Sequence, residues 1–156
     1  MMFQRINQSS PERIFIVAYN SYASASLTNG QCVRWDYTTD KDGVGVERCT
    51  AASDGFPAAG VVAETIAAGA YGLIQVYGYH SAVRVRTLTS TGHVYHESRK
   101  EVAAGVSLCY DITADVFCAE GVESAETAQI LKPFAFALEA QASFTTRTIA
   151  CFIKAL

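Results

Sequence analysis

The stretch GVVAETIAAGAYGLIQVYGYH, residues 60–80, decides the fold of this chain. It opens with the apolar run GVVAETI, is interrupted by the small, glycine-rich AAGAYG, and resumes with the apolar LIQVY. Glycine adopts a positive φ without steric cost, so the glycines of the middle segment suit a tight turn between two paired strands. The pattern predicts a β-hairpin whose second strand ends at Gly78, where another backbone comes close.

The segments before the hairpin carry strand patterns of two kinds. RIFIVAY, residues 13–19, is β-branched and aromatic with no polar face, which predicts a strand covered on both sides. Residues 31–37 alternate, so Val33, Trp35 and Tyr37 share one face, and we expect that face to be buried.

Two further strands flank these segments. A turn cluster, TTDKDG, precedes a short strand predicted around residues 44–48. After the hairpin, residues 82–88 alternate again, with Arg84 and Arg86 on the side opposite the valines. This strand is predicted to be half exposed, and its arginine side to meet solvent or a partner.

The second half of the chain repeats features of the first at an offset close to 75 residues. LTNGQCVRWD at 27–36 lies over VAAGVSLCYD at 102–111, so that Gly30 matches Gly105. Three further matches follow in the same order: GVE at 45–47 with GVE at 121–123, VVAET at 61–65 with FALEA at 136–140, and LIQVY at 73–77 with IACFI at 149–153. The order of the matches predicts two similar halves, residues 12–84 and 85–156, produced by an internal duplication.

The fold class that follows is all-β. Short apolar or alternating runs punctuated by turns predict about ten to twelve strands in a single β-rich domain, residues 12–156. Residues 1–11, MMFQRINQSSP, are polar and are predicted to form an N-terminal arm whose order depends on a neighbouring molecule.

The composition excludes several classes of partner. Charged residues make up 17% of the 156 residues, the formal net charge is −3, and the basic residues are scattered, so no stripe exists to neutralise a row of phosphates. Nucleic acid is therefore not an expected partner. No run of about eighteen apolar residues and no signal-peptide pattern occurs, so no membrane partner is expected and synthesis in a cytoplasm is predicted.

Catalytic, cofactor and metal motifs are also missing from the sequence. It contains no GxSxG, P-loop or dinucleotide-binding pattern. Asp36, Asp40 and Asp42 lie in and before the TTDKDG turn without the later glutamate of a calcium loop, and His93 and His96 fall on opposite faces of a strand. The five cysteines include no CxxC pair and are read as small buried thiols. We expect no enzyme activity and no cofactor.

Several quoted stretches resemble the capsid decoration, or head cement, proteins of tailed bacteriophages. Residues 60–78 and the closing FAFALEAQASFTTRTIACFIKAL, residues 134–156, look like a strand segment and the final hairpin of these proteins, and IFIVAYN and GQCVRWDYT extend the resemblance over most of the chain. The resemblance implies a compact β-barrel-like or β-tulip-like fold, attachment to the outside of a capsid and assembly as a homotrimer. It transfers no functional residue.

The first functional hypothesis is a virion protein that binds the major capsid protein and stabilises its lattice. The alternative is a receptor- or glycan-binding module of a phage fibre or tailspike. Under either hypothesis the partner contacts need apolar and aromatic anchors. The candidates are Met1, Met2, Phe3, Tyr22, Tyr79 and Tyr95.

Overall fold

The computed structural model describes residues 12–22, 24–39, 43–48, 58–86, 102–111, 116–119, 134–142 and 146–155. The predicted arm, residues 1–11, lies outside the described residues. Within them the chain forms nine strands and no helix: β1 (Ile14–Asn20), β2 (Cys32–Trp35), β3 (Gly45–Glu47), β4 (Ala58–Val62), β5 (Tyr71–Val85), β6 (Ser107–Asp111), β7 (Val116–Ala119), β8 (Ala135–Ala137) and β9 (Arg147–Lys154). The predicted all-β class is confirmed.

The strands close into two five-stranded rings that share β5. Ring one follows the order β1-β3-β2-β4-β5 and returns to β1, and ring two follows β5-β7-β6-β8-β9 and returns to β5. The two closures use different parts of the shared strand, because residues 71–77 pair with β1 and residues 77–85 pair with β9. The barrel character that the resemblance implied is thus confirmed, and closure leaves neither ring with an unpaired edge strand.

The predicted hairpin is present as β4 and β5, which run antiparallel with Val61 opposite Gln75 and Val62 opposite Ile74. Gly78 also makes the predicted close approach, since a Cβ at this position would overlap the carbonyl oxygen of Glu12. The prediction that the strand ends at Gly78 is wrong. The Gly78 backbone has a positive φ of 98°, and the pairing of β5 with β9 shifts register between His80 and Val83. The strand β5 therefore bends at this point and continues instead of ending.

Two buried polar side chains support β5 where it passes from ring one to ring two. The Gln75 Nε2 amide donates hydrogen bonds to the carbonyl oxygens of Tyr77 and Tyr79, at 3.1 and 3.0 Å. The Nδ1 atom of His80 accepts a hydrogen bond of 3.1 Å from the Ala82 N–H. Burial lowers the pKa of His80, and this effect outweighs the backbone hydrogen bond with Val62, which raises the pKa. The lowered pKa favours the neutral imidazole, whose unprotonated Nδ1 atom can accept the hydrogen bond from the Ala82 N–H.

Each ring has its own apolar core, and β2 and β4 contribute to both. Val33 and Val62 pack with the ring-one cluster, whereas their neighbours Cys32 and Val61, which lie opposite each other, pack with the ring-two cluster. Successive side chains of a strand point to opposite faces, so the β2–β4 pair is buried on both sides. The two rings therefore pack against each other through the second face of β2 and β4.

The expectation that the face of Val33, Trp35 and Tyr37 is buried is confirmed at Val33 and wrong at Tyr37, and the opposite face is buried as well. Arg34, on the other face, is 6% exposed and forms an ion pair of 2.6 Å with Glu47. Trp35 is half-buried, and Tyr37 lies past the end of β2 in a turn, where it is 48% exposed.

The two rings have the same pattern of pairings. β2 pairs antiparallel with β3 and β4, as β6 does with β7 and β8, and β1 runs parallel to β3, as the second half of β5 does to β7. The isolated bridge between Leu27 and Ile66 recurs between Val102 and Gln141, at the offset that relates residues 27–36 to residues 102–111.

The pairings correct one predicted match between the halves. Trp35 lies opposite Val46 in ring one, and its counterpart Tyr110 lies opposite Phe117 in ring two. β7 therefore pairs in ring two as β3 does in ring one, whereas the sequence match placed the second GVE segment there. Residues 121–123 lie outside the described residues.

The match of the last strands is wrong by one residue. Val61 lies opposite Gln75, and its counterpart Phe136 lies opposite Phe152, whereas the sequence match aligned Gln75 with Cys151. A one-residue slip moves every side chain of a strand to the other face. Cys151 accordingly points into the ring-two core, where burial raises the pKa of its thiol to about 12.

The close approach at Gly78 predicts a large loss of stability on adding a single carbon. We expect Gly78→Ala to lower the free energy of unfolding by roughly 3 kcal/mol or more, because backbone overlap adds to the cost of a positive φ. The matched control is Gly43→Ala, where φ is 77° but no atom lies within 4 Å of the added carbon. That variant should lose only about 1 kcal/mol. Equal losses in urea denaturation would contradict the tight crossing at Gly78.

Candidate interaction surface

The pairing of β1 with β5 sorts their side chains into an inner and an outer set. Val17 lies opposite Leu73 and Tyr19 opposite Tyr71, while the intervening Ala18 lies opposite a glycine. Ala18 is fully buried, whereas Val17 is 63% exposed. Alternation therefore places one set in the core of ring one and the other set outside it.

The outer set forms an apolar face on ring one. We define this face by the five large apolar residues of β1 and β5 that are exposed: Ile14, Phe15, Val17, Tyr71 and Leu73. At its end the rings of Tyr19 and Tyr71 pack at 5.2 Å with an interplanar angle of 54°. No charged residue lies within the β1–β5 register.

The apolar face corrects the prediction for residues 13–19. The sequence shows no polar face in this run, and we expected cover on both sides, but within the described residues only the inner side is covered. An apolar side that the described part of the chain leaves uncovered is typical of a contact surface for another molecule. The signal for this surface was present in RIFIVAY and LIQVY, but nothing in either stretch distinguishes the inner side from the outer.

Asn20, at the end of β1, is a fully buried polar residue that stabilises the loops next to the apolar face. Its Nδ2 amide donates to the carbonyl oxygens of Ala25, Ile66 and Ala67, at 3.2, 3.1 and 3.1 Å. Its Oδ1 atom accepts a hydrogen bond of 3.0 Å from the Tyr22 N–H. A buried amide with this many partners fixes the two loops beside the face in one arrangement.

Two of the six predicted contact residues lie within the described residues. Tyr22 and Tyr79 are half-buried, and each ring carries a guanidinium group above it, from Arg48 at 5.5 Å and from Arg13 at 5.6 Å. Neither tyrosine belongs to the apolar face. The other four candidates lie outside the described residues: Met1, Met2, Phe3 and Tyr95.

Asp36, the described member of the aspartate set, has a local role. Its carboxylate accepts hydrogen bonds of 3.0 Å from the Thr38 hydroxyl and the Thr39 N–H. Desolvation raises the pKa of this carboxyl, but hydrogen bonds from Thr39, Ser21 and Thr38 outweigh it, so the pKa lies below its usual value. These bonds close the turn after β2, and Asp40 and Asp42 lie outside the described residues.

Comparison with known proteins adds a structural likeness. No protein-family model and no curated protein matches this chain. Among solved structures the chain is similar to the head fiber gp8.5 N base of bacteriophage phi29, with a TM-score of 0.47 and 11% sequence identity, over 92% of this chain and 96% of that one. Within the described residues, no helix is long and apolar enough to cross a membrane.

The exposure of the apolar face predicts opposite results for two adjacent residues. Leu73 is 38% exposed on the outer side, and Ile74 is fully buried on the inner side. Ile74→Ala should cost about 2–5 kcal/mol of unfolding free energy, because it leaves a cavity, whereas Leu73→Ala should cost about 1 kcal/mol or less. Chemical denaturation of both variants checks this. A Leu73→Ala variant as unstable as Ile74→Ala would mean that the chain itself covers this face.

Proposed function

We propose that this protein is a structural component of a tailed-phage virion, where it binds the outside of the capsid and stabilises the lattice of the major capsid protein. The observation that carries the proposal is the uncharged apolar face on β1 and β5. The sequence resemblance to capsid decoration proteins supports the same reading, since both strands lie in stretches that carry it. Synthesis in the host cytoplasm precedes attachment to the capsid surface, and the resemblance supports a homotrimer as the attached unit.

The size of the apolar face suits a protein contact. Its five residues are between 38% and 67% exposed. Together they present on the order of 500 Å² of surface, at the upper end of what a monomer usually exposes in one patch. A standard interface buries about 800 Å² on each partner, so the apolar face supplies more than half of the area that one partner buries.

The chemistry of the face also favours a folded protein as its occupant. Aromatic and branched apolar residues without charges are typical of the centre of a protein–protein interface. Both rings are closed, so none of the described strands has a free edge to which another chain could add a strand. A binding partner must therefore contact exposed side chains. A folded capsid surface can provide complementary side chains over this area.

Stabilisation of the capsid would then follow from linkage. A protein that binds only the assembled lattice lowers the free energy of that state by its binding free energy, and the effect multiplies over many copies. No catalytic residue, cofactor or nucleic-acid contact is needed for this activity.

A second candidate function, binding of a receptor or glycan, is favoured by a separate feature. The described residues include a polar cleft on ring two that the apolar face does not explain.

Introducing a charge into the apolar face should abolish attachment without unfolding the protein. We expect Val17→Asp to reduce co-sedimentation with purified expanded heads about tenfold or more, because the carboxylate would lose its hydration in the contact. Leu138→Asp is the matched control, since Leu138 is 46% exposed but lies outside the apolar face. Both variants should melt within a few degrees of the parent protein. Equal occupancy of heads by both variants would rule out this face as the capsid contact.

A further inference from the structure

Two cysteines occupy directly opposite positions in ring two. β6 and β7 run antiparallel, and their register pairs Cys109 with Cys118. The two strands follow each other in the chain and are joined through residues 112–115, so both cysteines belong to one pair of consecutive strands. Their spacing in the sequence matches no cysteine motif, so only the strand register brings them together.

The backbone hydrogen bonds of β6 define the geometry of this position. The Phe134 N–H donates to the Leu108 carbonyl oxygen at 3.3 Å, so the Leu108 carbonyl points toward β8. Successive carbonyls of a strand point to opposite sides, so that of Cys109 points toward β7, and its pair with Cys118 is of the hydrogen-bonded type. The Cα atoms of such a pair are about 5.5 Å apart, which falls within the range of about 4.4–6.8 Å found across disulfides.

The equivalent position in ring one carries a link between strands. The register that makes β7 equivalent to β3 places the cysteine pair where ring one has Arg34 opposite Glu47. The Arg34 Nη2 atom donates to the Glu47 Oε1 atom at 2.6 Å, so side chains at this pair position meet in ring one. An ion pair joins the two strands there, and two cysteines at the same position can join them covalently.

We propose that Cys109 and Cys118 form an intramolecular disulfide when the protein meets a disulfide oxidant such as oxidised glutathione, and that this bond stabilises ring two. One cysteine thiolate attacks a sulfur of the oxidant and releases one glutathione thiolate. The second cysteine thiolate then attacks the mixed disulfide and releases the other. The two protein thiols lose two electrons, the oxidant gains them, and the two protons end on the glutathione thiols.

The other described cysteines do not compete for this bond. Cys32 and Cys151 are buried in the ring-two core, and neither lies opposite another cysteine in the strand pairing. Burial raises the pKa of Cys151 to about 12, and the charge of Glu139 acts in the same direction. The Cys151 thiol therefore stays protonated at neutral pH, where only a thiolate would attack the oxidant. Cys49 lies outside the described residues.

The bond would act where ring two closes through its shortest contact between strands. Among the described residues β5 meets β7 at one pair, Val85 with Phe117, whereas it pairs with β9 along most of its second half. Cys118 adjoins Phe117, so a bond to Cys109 ties the strand that makes this closing contact to its other neighbour. The cross-link also removes conformational freedom from the unfolded chain, which favours the folded state.

The cysteine pair would make the stability of the protein depend on its redox surroundings. In a reducing cytoplasm both residues remain thiols, and the oxidising conditions outside a cell favour the disulfide. The inference does not depend on the proposed function, because the isolated chain should form the bond whether or not it binds a capsid.

Counting thiols on the full-length chain tests the proposal. The protein is reduced, equilibrated with excess oxidised glutathione, alkylated in denaturant and weighed by mass spectrometry. We expect two of the five cysteines to escape alkylation without a glutathione adduct and without dimer formation. Cleavage before Asp111 and Asp115 separates the two cysteines in the sequence, so a pair of peptides linked through Cys109 and Cys118 identifies the bond.

A thermal melt before and after oxidation tests the stabilising effect. The oxidised protein should melt about 5–10 °C above the reduced protein. Cys109→Ser and Cys118→Ser should each abolish this shift, because the remaining thiol has no cysteine opposite it. Cys151→Ala is the matched control, since it removes a thiol from the ring-two core and should keep the shift. Each variant is compared with itself, so a loss of stability from the substitution alone does not affect the result.

Several outcomes would overturn the proposal. Alkylation of all five cysteines after oxidation would mean that the bond does not form. A disulfide between any other two cysteines, or a dimer linked through Cys109 or Cys118, would contradict the assigned pair. A bond between Cys109 and Cys118 without a rise in melting temperature would show that it does not stabilise ring two.

Discussion

The backbone hydrogen bonds of β5 are the constraint on which the rest of the structure depends. This one strand of 15 residues closes both rings, so it must pair with β1 and β4 along its first half and with β9 and β7 along its second. It must exchange β1 for β9 at Tyr77, and β4 for β7 between Gln75 and Val85, without leaving buried N–H and C=O groups unpaired. Gly78, which lets the start of β1 pass close by, and the side chains of Gln75 and His80, which bond to the backbone beside the bend, make this exchange compatible with one continuous strand.

Both candidate surfaces follow from that arrangement. Where β5 pairs with β1, the outer side of the strand carries Leu73 and Tyr71, and where it pairs with β9, the strand carries Arg84 beside Thr148. The repeated pairing gives the two rings equivalent positions with different chemistry. A duplication followed by divergence of the exposed side chains, as the sequence matches predict, would produce such a repeat.

Local sequence patterns predicted the parts of the fold that depend on local chemistry. The β4–β5 hairpin, the buried Val83 and Val85, and the close approach at Gly78 all follow from alternation and from the conformational freedom of glycine. The length of β5 could not be predicted in this way, because a bend at a glycine and a chain reversal at a glycine have the same local signature.

The contact surface could not be predicted for a related reason. Alternation places Val17 and Ala18 on opposite sides of β1 but does not say which side faces the core when both sides are apolar. That choice depends on pairing with a strand more than fifty residues away, as does the burial of both sides of β2 between the two ring cores. Tyrosines were reasonable anchors on composition, yet Tyr22 and Tyr79 lie under guanidinium groups of their own chain.

A cryo-electron microscopy reconstruction of purified virions that carry this protein tests its assignment as a capsid-bound protein most directly. We predict density for the chain on the outside of the shell, with the β1 and β5 strands of ring one against the major capsid protein and the second half of β5 directed away from it. Density on a tail fibre or tailspike alone, or a capsid-bound chain with Val17 and Tyr71 open to solvent, would contradict it.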